Sequence, residues 1–325
     1  MNLVLGAGPA GLIAGYLLRL PVVGEVVGGQ QAEVYSLGPR IFELTDDSIK
    51  LFESLGIDWQ NNVKEYRVGY ARSGSTTSAT IPNDQFRLDY YRKTRDPNAD
   101  TFPESCLSGG KSAITGIDLD IVVNALKKRV AVIPGRVHYV DRTPRGYQVV
   151  CVTQTDSCLK VSSNLLCEHL ISTIPLPVLA RTMNKPINVE QPKSKATYFA
   201  WVYTGCFDHD IFNNDEFDYV YFADPSCLFH RATKIASGIA CLEFANVDRL
   251  HQFRAEIEPK YLLDTRVVPG AQLTNKLGLS DYQGITLLGR YGTWDHGVKL
   301  EDVVKEVYEY AGEMGIRPEG SSLWI

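Results

Sequence analysis

The chain opens on a short apolar run, Met1-Asn2-Leu3-Val4-Leu5, passes through Gly6-Ala7-Gly8-Pro9-Ala10-Gly11, and continues apolar over 12–20 with helical character. That order predicts strand, tight turn and helix. Alternation over 32–37 predicts another strand. A helix is expected over 46–55, with Ile49, Leu51, Phe52 and Leu55 on its apolar side, Thr45 or Asp46 as cap and Gly56 as stop. The same spacing of Leu119, Val122, Val123 and Leu126 predicts a helix over 118–129. Strands follow at 130–133, 136–140 and 147–152, the last two joined by Pro144-Arg145-Gly146, and a buried strand at 169–174 stops at Pro175. Segments 198–206, 219–222 and 238–244 read as a second sheet, 284–289 as a core strand and 300–311 as an amphipathic helix. Residues 66–103, rich in Ser, Thr, Tyr and Arg, form an excursion from this regularity.

A G-x-G-x-x-G turn between strand and helix makes a phosphate site. Gly6 permits the turn, Gly8 lets the backbone approach a pyrophosphate, and Gly11 lets helix pack on strand, with Pro9 and Ala10 opening the helix. The free N–H groups and partial positive charge of the helix start suit an anion. In such folds an acidic residue roughly 20 positions after the turn binds the adenosine ribose. Glu25 comes only 14 positions after Gly11, so ribose ligand and solvated turn residue both stand as readings.

Composition narrows the class. With 33 basic and 38 acidic residues, net −5, the chain offers no global attraction to a polyanion, and a nucleic-acid partner would need a local basic patch. No apolar run has the length of a membrane span and residues 1–20 lack the features of a secretory signal, so a cytoplasmic location is expected. The seven cysteines are scattered, without a C-x-x-C pair, and are expected to be reduced thiols; no metal site is expected. A chain of 325 residues is long enough for two or three lobes.

Further segments carry a family resemblance. Gly28-Gly29 resembles the double glycine of the glutathione-reductase-type FAD superfamily, and Gly38-Pro39-Arg40-Ile41-Phe42 is similar to a segment of its UDP-galactopyranose mutases. The chain also resembles, in patches, the branch holding protoporphyrinogen oxidase and amine oxidases. Arg136-Val137-His138-Tyr139-Val140 resembles the family strand whose valine, here Val137, contacts adenine. Most specific is the segment from Leu287 through Gly289-Arg290-Tyr291-Gly292-Thr293-Trp294 to Asp295-His296-Gly297-Val298, which resembles the closing flavin motif.

The resemblance implies an α/β fold: a Rossmann-like FAD-binding domain (1–65, 109–185 and 280–320) with a discontinuous α+β substrate domain (66–108 and 186–279). It implies FAD held by Gly6, Gly8, Pro9, Ala10, Gly11, Glu25, Gly28, Gly29, Val137, Gly289, Arg290, Trp294, Gly297 and Val298. Arg231, in Phe229-His230-Arg231-Ala232-Thr233, resembles a mutase arginine that grips a substrate diphosphate, and a guanidinium suits bidentate anion binding; the alternative is a surface Arg at a strand edge. Arg40 stands where the mutases carry a flavin-facing His. His296 is a candidate to hold a proton or to bond a flavin heteroatom. Together Arg40, Arg231 and His296 are the expected catalytic group. Arg40 and the absence of the mutases' tyrosine pattern favour an oxidoreductase taking hydride from a small amine- or hydroxyl-bearing substrate, with phosphate- or nucleotide-linked ones included. The alternatives are a redox-neutral mutase-like isomerase using reduced flavin and a flavin-dependent enzyme modifying nucleotides or nucleic acid.

Overall fold

The strand expected at the chain start is present at Leu3–Leu5, with all three side chains shut off from solvent, as a short unbroken apolar run in a sheet covered on both faces should be. The computed structural model describes residues 2–28, 40–71, 77–78, 80, 82–102, 107, 111–154, 160–187, 190–208, 210–212 and 216–316. Leu3–Leu5 lies inside a six-stranded sheet of order 281–282, 285–287, 170–172, 3–5, 22–24, 132–134. Every pairing is parallel except that of Asp281–Tyr282 with Ile285–Leu287.

Parallel neighbours need crossovers. The first is the helix Pro9–Leu18, apolar almost all round because helices Leu119–Lys127 and Leu300–Glu313 cover its outer side. The two faces of the sheet follow the strand period of two. Val4, Val22 and Ile171 point into the helical layer. Leu3, Leu5, Val23, Leu170 and Leu287 point the other way, onto an antiparallel meander of Arg136–Thr143, Gly146–Gln154 and Lys160–Cys167 that links 132–134 to 170–172.

The second sheet has the order Leu262–Leu273, Ser194–Tyr203, Ile239–Phe244, Arg231–Ala236, Tyr219–Phe222, Lys64–Ala71, Ala113–Asp118, Ile41–Glu43, with Thr77–Ser78 beside 64–71. Its pairings are antiparallel apart from 219–222 with 64–71. One face buries Val220, Phe222, Ala232, Leu242 and Phe244 under Leu250 and Phe253 of the helix Val247–Glu256. The opposite face carries Tyr219, Tyr221, Arg231, Cys241, Glu243, Phe199 and Trp201, fixed there by register. At its far end Phe42 and Ile117 join the core that holds Leu12 and Ile13, which ties the two sheets together.

The helix after Thr45 is Asp46–Ser54, and the Thr45 side chain accepts from the Ser48 amide at 3.1 Å, so Thr45 is the cap. The excursion at 66–103 contains a strand, Lys64–Ala71, and a helix, Asp84–Thr94. The strand expected at 32–37, together with Gly38 and Pro39, lies outside the described residues. Cys151, Cys167, Cys206, Cys227 and Cys241 are free thiols. Among the described residues no helix is long and apolar enough to cross a membrane, and no His, Cys, Asp and Glu group could hold a metal ion.

Candidate functional site

The glycine turn leaves the C-terminal end of the strand 3–5. Gly6 sits at φ +104°, which a side chain rarely tolerates, and a Cβ there would lie 2.4 Å from Thr173 Oγ1. A Cβ at Gly11 would lie 1.7 Å from the Gly6 carbonyl oxygen, so the close packing of helix on turn excludes any other residue. Thr173 closes the arrangement by donating its hydroxyl to the carbonyls of Leu5 at 3.0 Å and Gly6 at 3.3 Å. Gly8 is different. It caps the helix in extended backbone, φ −72° and ψ 176°, with no side-chain cap and no acid in the first turn. A Cβ there would meet nothing within 4 Å. Open space before uncapped helix amides, with no repelling acid, fits a bound phosphate.

The closing segment meets this turn across residues 172 and 173. Gly289, at φ +73°, follows the strand 285–287, and its Cβ would stand 3.0 Å from Ala10 Cβ; that of Gly292 would stand 2.7 Å from the Ser172 carbonyl oxygen. Arg290 donates from Nε to the Val298 carbonyl at 3.3 Å. Trp294 is buried in the core and donates its indole N–H to Asn275 Oδ1 at 3.1 Å, which is a packing position. Gly297 and Val298 open on a groove of about 450 Å³ whose walls include Asp302, Glu306 and Glu309, an unsuitable wall for a pyrophosphate. Glu25 is exposed just past the strand 22–24, Gly28 donates its amide to the Ala7 carbonyl at 2.7 Å, and Val137 is buried in the meander core. Gly29 lies outside the described residues.

Arg231 stands in a central strand of the second sheet, not at an edge, and is not a free anion hook. Its Nε donates to Glu243 Oε1 at 2.7 Å and Nη2 donates to the same oxygen. Glu243 Oε2 faces His230 Nε2 at 3.6 Å. Burial pushes the Glu243 carboxyl up, but the Arg231 charge and the nearby His230 ring outweigh it and leave it below its ordinary value. Burial pulls the His230 ring down against the pull of Glu243, so it is held neutral. The Arg231 side chain keeps 31% of its surface open, and Nη1 makes no hydrogen bond to the described residues, so the guanidinium can still present one edge to a ligand.

Arg40 and Arg290 both feel the Arg231 charge. Burial lowers the Arg40 guanidinium; Glu243 then raises it while Arg231 and Arg290 lower it. Burial likewise lowers Arg290, with Arg95 and Arg231 among the cations acting on it. Glu243 is thus the buried counter-charge for Arg231 and Arg40, while Glu301 acts on Arg290. His296 cannot hold a proton at ordinary pH. Burial, then the charges of Arg290, Arg95 and Arg231, push its ring down to about 2. Its Nδ1 accepts from the Leu273 amide at 3.4 Å, so the proton of the neutral ring sits on Nε2 as a donor. Arg40 and His296 thus each lie within electrostatic reach of Arg231, which has Glu243 and His230 beside it, whereas Thr173 belongs to the glycine turn. Glu243 had one sequence signal, a lone acid inside the apolar strand 239–244, since a buried charge needs a partner.

No family model matches the sequence, and a search of curated proteins finds no match. Solved structures do match. A CLA-producing fatty acid isomerase from P. acnes has a TM-score of 0.66 at 10% identity, over 97% of this chain and 98% of that one. The p-nitrophenol 4-monooxygenase of Pseudomonas putida DLL-E4 has a TM-score of 0.54 at 12% identity, over 96% of this chain and 80% of its own. Aklavinone-11 hydroxylase, solved with FAD and aklavinone, has a TM-score of 0.56 at 13% identity, over 96% of this chain and 61% of its own. At these identities the likeness is one of fold, a fold shared with a hydroxylase solved with FAD. It extends to hydroxylases and an isomerase and does not single out the mutase and amine oxidase branch.

Proposed function

We propose that this chain binds FAD and acts as a flavin-dependent oxidoreductase on a small molecule with an anionic group. One observation carries the reading: the glycine turn 6–11 and the closing segment 289–292 converge over residues 172 and 173, leaving open space in front of Gly8 and the uncapped helix amides. Gly8 and the first turn of the helix would hold the pyrophosphate, Glu25 the adenosine ribose, Val137 the adenine edge, and the stretch from Gly289 the flavin end. The parallel sheet is then the cofactor unit and the tyrosine-bearing face of the second sheet the substrate wall.

When bound, FAD supplies the two-electron chemistry. The residues of this chain bind and orient. Arg231, held along one edge by Glu243, offers its other edge to a carboxylate or phosphate. The Tyr219 ring lies 6.0 Å from the same guanidinium and gives the substrate an apolar flank. His296 donates from Nε2 and takes no proton. Arg40 adds a fixed positive charge that favours negative charge in the site.

Redox-neutral isomerisation is the second reading, supported by the full-length match to the fatty acid isomerase and neutral with respect to the glycine turn. The oxidoreductase reading leads to two expectations. Purified protein is yellow or becomes so with FAD, and anaerobic mixing of the oxidised holoprotein with substrate bleaches the flavin absorbance. Failure to bind FAD on reconstitution would sink the cofactor assignment. Turnover only after prior reduction, with no acceptor consumed, would promote the isomerase.

A further inference from the structure

A second cavity, larger than the groove at Gly297 and Val298, lies outside the glycine turn. It encloses about 820 Å³ between the last turns of helix 84–94, the start of strand 194–203 and the first turn of helix 247–256. Arg92, Lys93, Arg95, Lys195 and Arg249 line it, against one acid, Asp89. The positive end of a ten-residue helix, capped by Asn246, adds to the same sign.

Much of that charge has a structural use. Lys93 gives its three donors to the carbonyls of Phe222, Asp224 and Phe229 at 2.7–2.9 Å, Lys195 donates to the Arg95 carbonyl, and Arg249 donates to the Cys227 carbonyl at 2.8 Å. These groups fix positive charge in the wall without binding anything. Arg92 is likewise committed, to the Ala99 carbonyl at 2.8 Å. Arg95 is the exception. Its guanidinium lies 5.9 Å from the Tyr91 ring and makes no side-chain hydrogen bond to the described residues, although Arg95 is only half-exposed. A guanidinium with all five donors unused in a cationic cleft suits an oxyanion. Arg95 also joins the cleft to the site described above, because its charge is felt at both His296 and Arg290.

We infer that this cleft is an oxyanion-binding site in which Arg95 grips the carboxylate or phosphate of a small molecule. The inference rests on the cleft alone, not on the flavin reading. Octanoate, octyl phosphate and 1-octanol, titrated calorimetrically into the full chain with and without saturating FAD, test it. At least one of the two anions should bind ten times or more tightly than the alcohol, and its preference over the other anion identifies the oxyanion. Arg95→Gln, which keeps a planar polar side chain and removes the charge, should lose tenfold or more of that affinity at unchanged Tm, while Arg254→Ala on the exposed side of the neighbouring helix should lose none. Equal binding of the alcohol, or anion affinity untouched by Arg95→Gln, would overturn the inference. So would anion binding abolished by saturating FAD, since the anion would then have occupied the glycine turn. A chain that shows no flavin spectrum but binds the anions through Arg95 would reject the flavin reading and leave the cleft standing.

Discussion

Two glycines of one turn should fail in opposite ways when substituted. Gly11→Ala places a Cβ 1.7 Å from the Gly6 carbonyl oxygen and 2.9 Å from Thr173 Oγ1, a clash with backbone that no rotamer relieves. Helix and turn must separate, at a cost of about 3 kcal/mol, the upper part of the range for overpacking. At Gly8 an added Cβ meets nothing within 4 Å, and Gly8→Val keeps a backbone angle open to any residue, φ −72°. Its penalty without ligand is the poorer helix cap, roughly 1 kcal/mol or less. With ligand, the added methyls stand where a phosphate would approach. Loss of two charge-assisted hydrogen bonds, each worth about 1.5–3 kcal/mol, weakens FAD a hundredfold or more. Urea denaturation of the apoprotein and FAD titration by flavin fluorescence separate the effects: Gly11→Ala loses stability, and Gly8→Val keeps stability but loses flavin. Native FAD affinity in Gly8→Val would refute the phosphate assignment, and native stability in Gly11→Ala would refute the packing.

Arg231→Ala strands a buried Glu243 and should cost about 3 kcal/mol at neutral pH, the low end for a broken buried pair because part of Arg231 is open; the double variant Arg231→Met with Glu243→Gln should recover much of this in chemical denaturation. His296 carries a folded pKa depressed to about 2, so below pH 6.5 the unfolded chain takes up a proton that the native ring refuses, and stability falls as pH falls. Between pH 7 and pH 5 that is about 2 kcal/mol, and His296→Asn should flatten this part of the profile. Phe244→Ala removes a fully buried ring packed on Phe229 and Phe253 and should cost about 3–5 kcal/mol in urea; a loss below about 1 kcal/mol would show that the cavity collapses.

The legible parts of the fold are those written locally. The apolar run 3–5, the glycines after it and the spacing of Leu119, Val122, Val123 and Leu126 each specify an element within a few residues. Helix 247–256 was illegible because it buries only Leu250 and Phe253 and presents charge elsewhere, so its apolar stripe is too thin to stand out. Strand 262–273 is an edge strand, mostly half-exposed, with Pro269 and Gly270 inside it, and its pattern is that of a loop. Its existence depends on pairing with 194–203, a long-range fact.

The site divides along the same line. A phosphate turn needs glycines at set spacings in one continuous segment, so its chemistry can be read in order. The ionic group cannot, because Arg40, the adjacent-strand pair Arg231 and Glu243, and the closing-segment residues Arg290 and His296 come from three separate segments and acquire their states from burial and from one another. Arg231 in isolation is a mobile cation; set across from Glu243 on the adjacent strand, it becomes a guanidinium with one edge committed and one edge offered. His296 in isolation titrates near neutrality; buried, and with Arg290, Arg95 and Arg231 acting on it, it is a neutral donor down to low pH. The glycine turn would serve a hydroxylase, an oxidase or an isomerase equally well. In the flavin reading, what is done with a bound flavin is therefore decided by the residues that the second sheet and the closing segment bring to it, among them the guanidinium groups of Arg231 and Arg290 and a His296 that burial and those charges hold neutral.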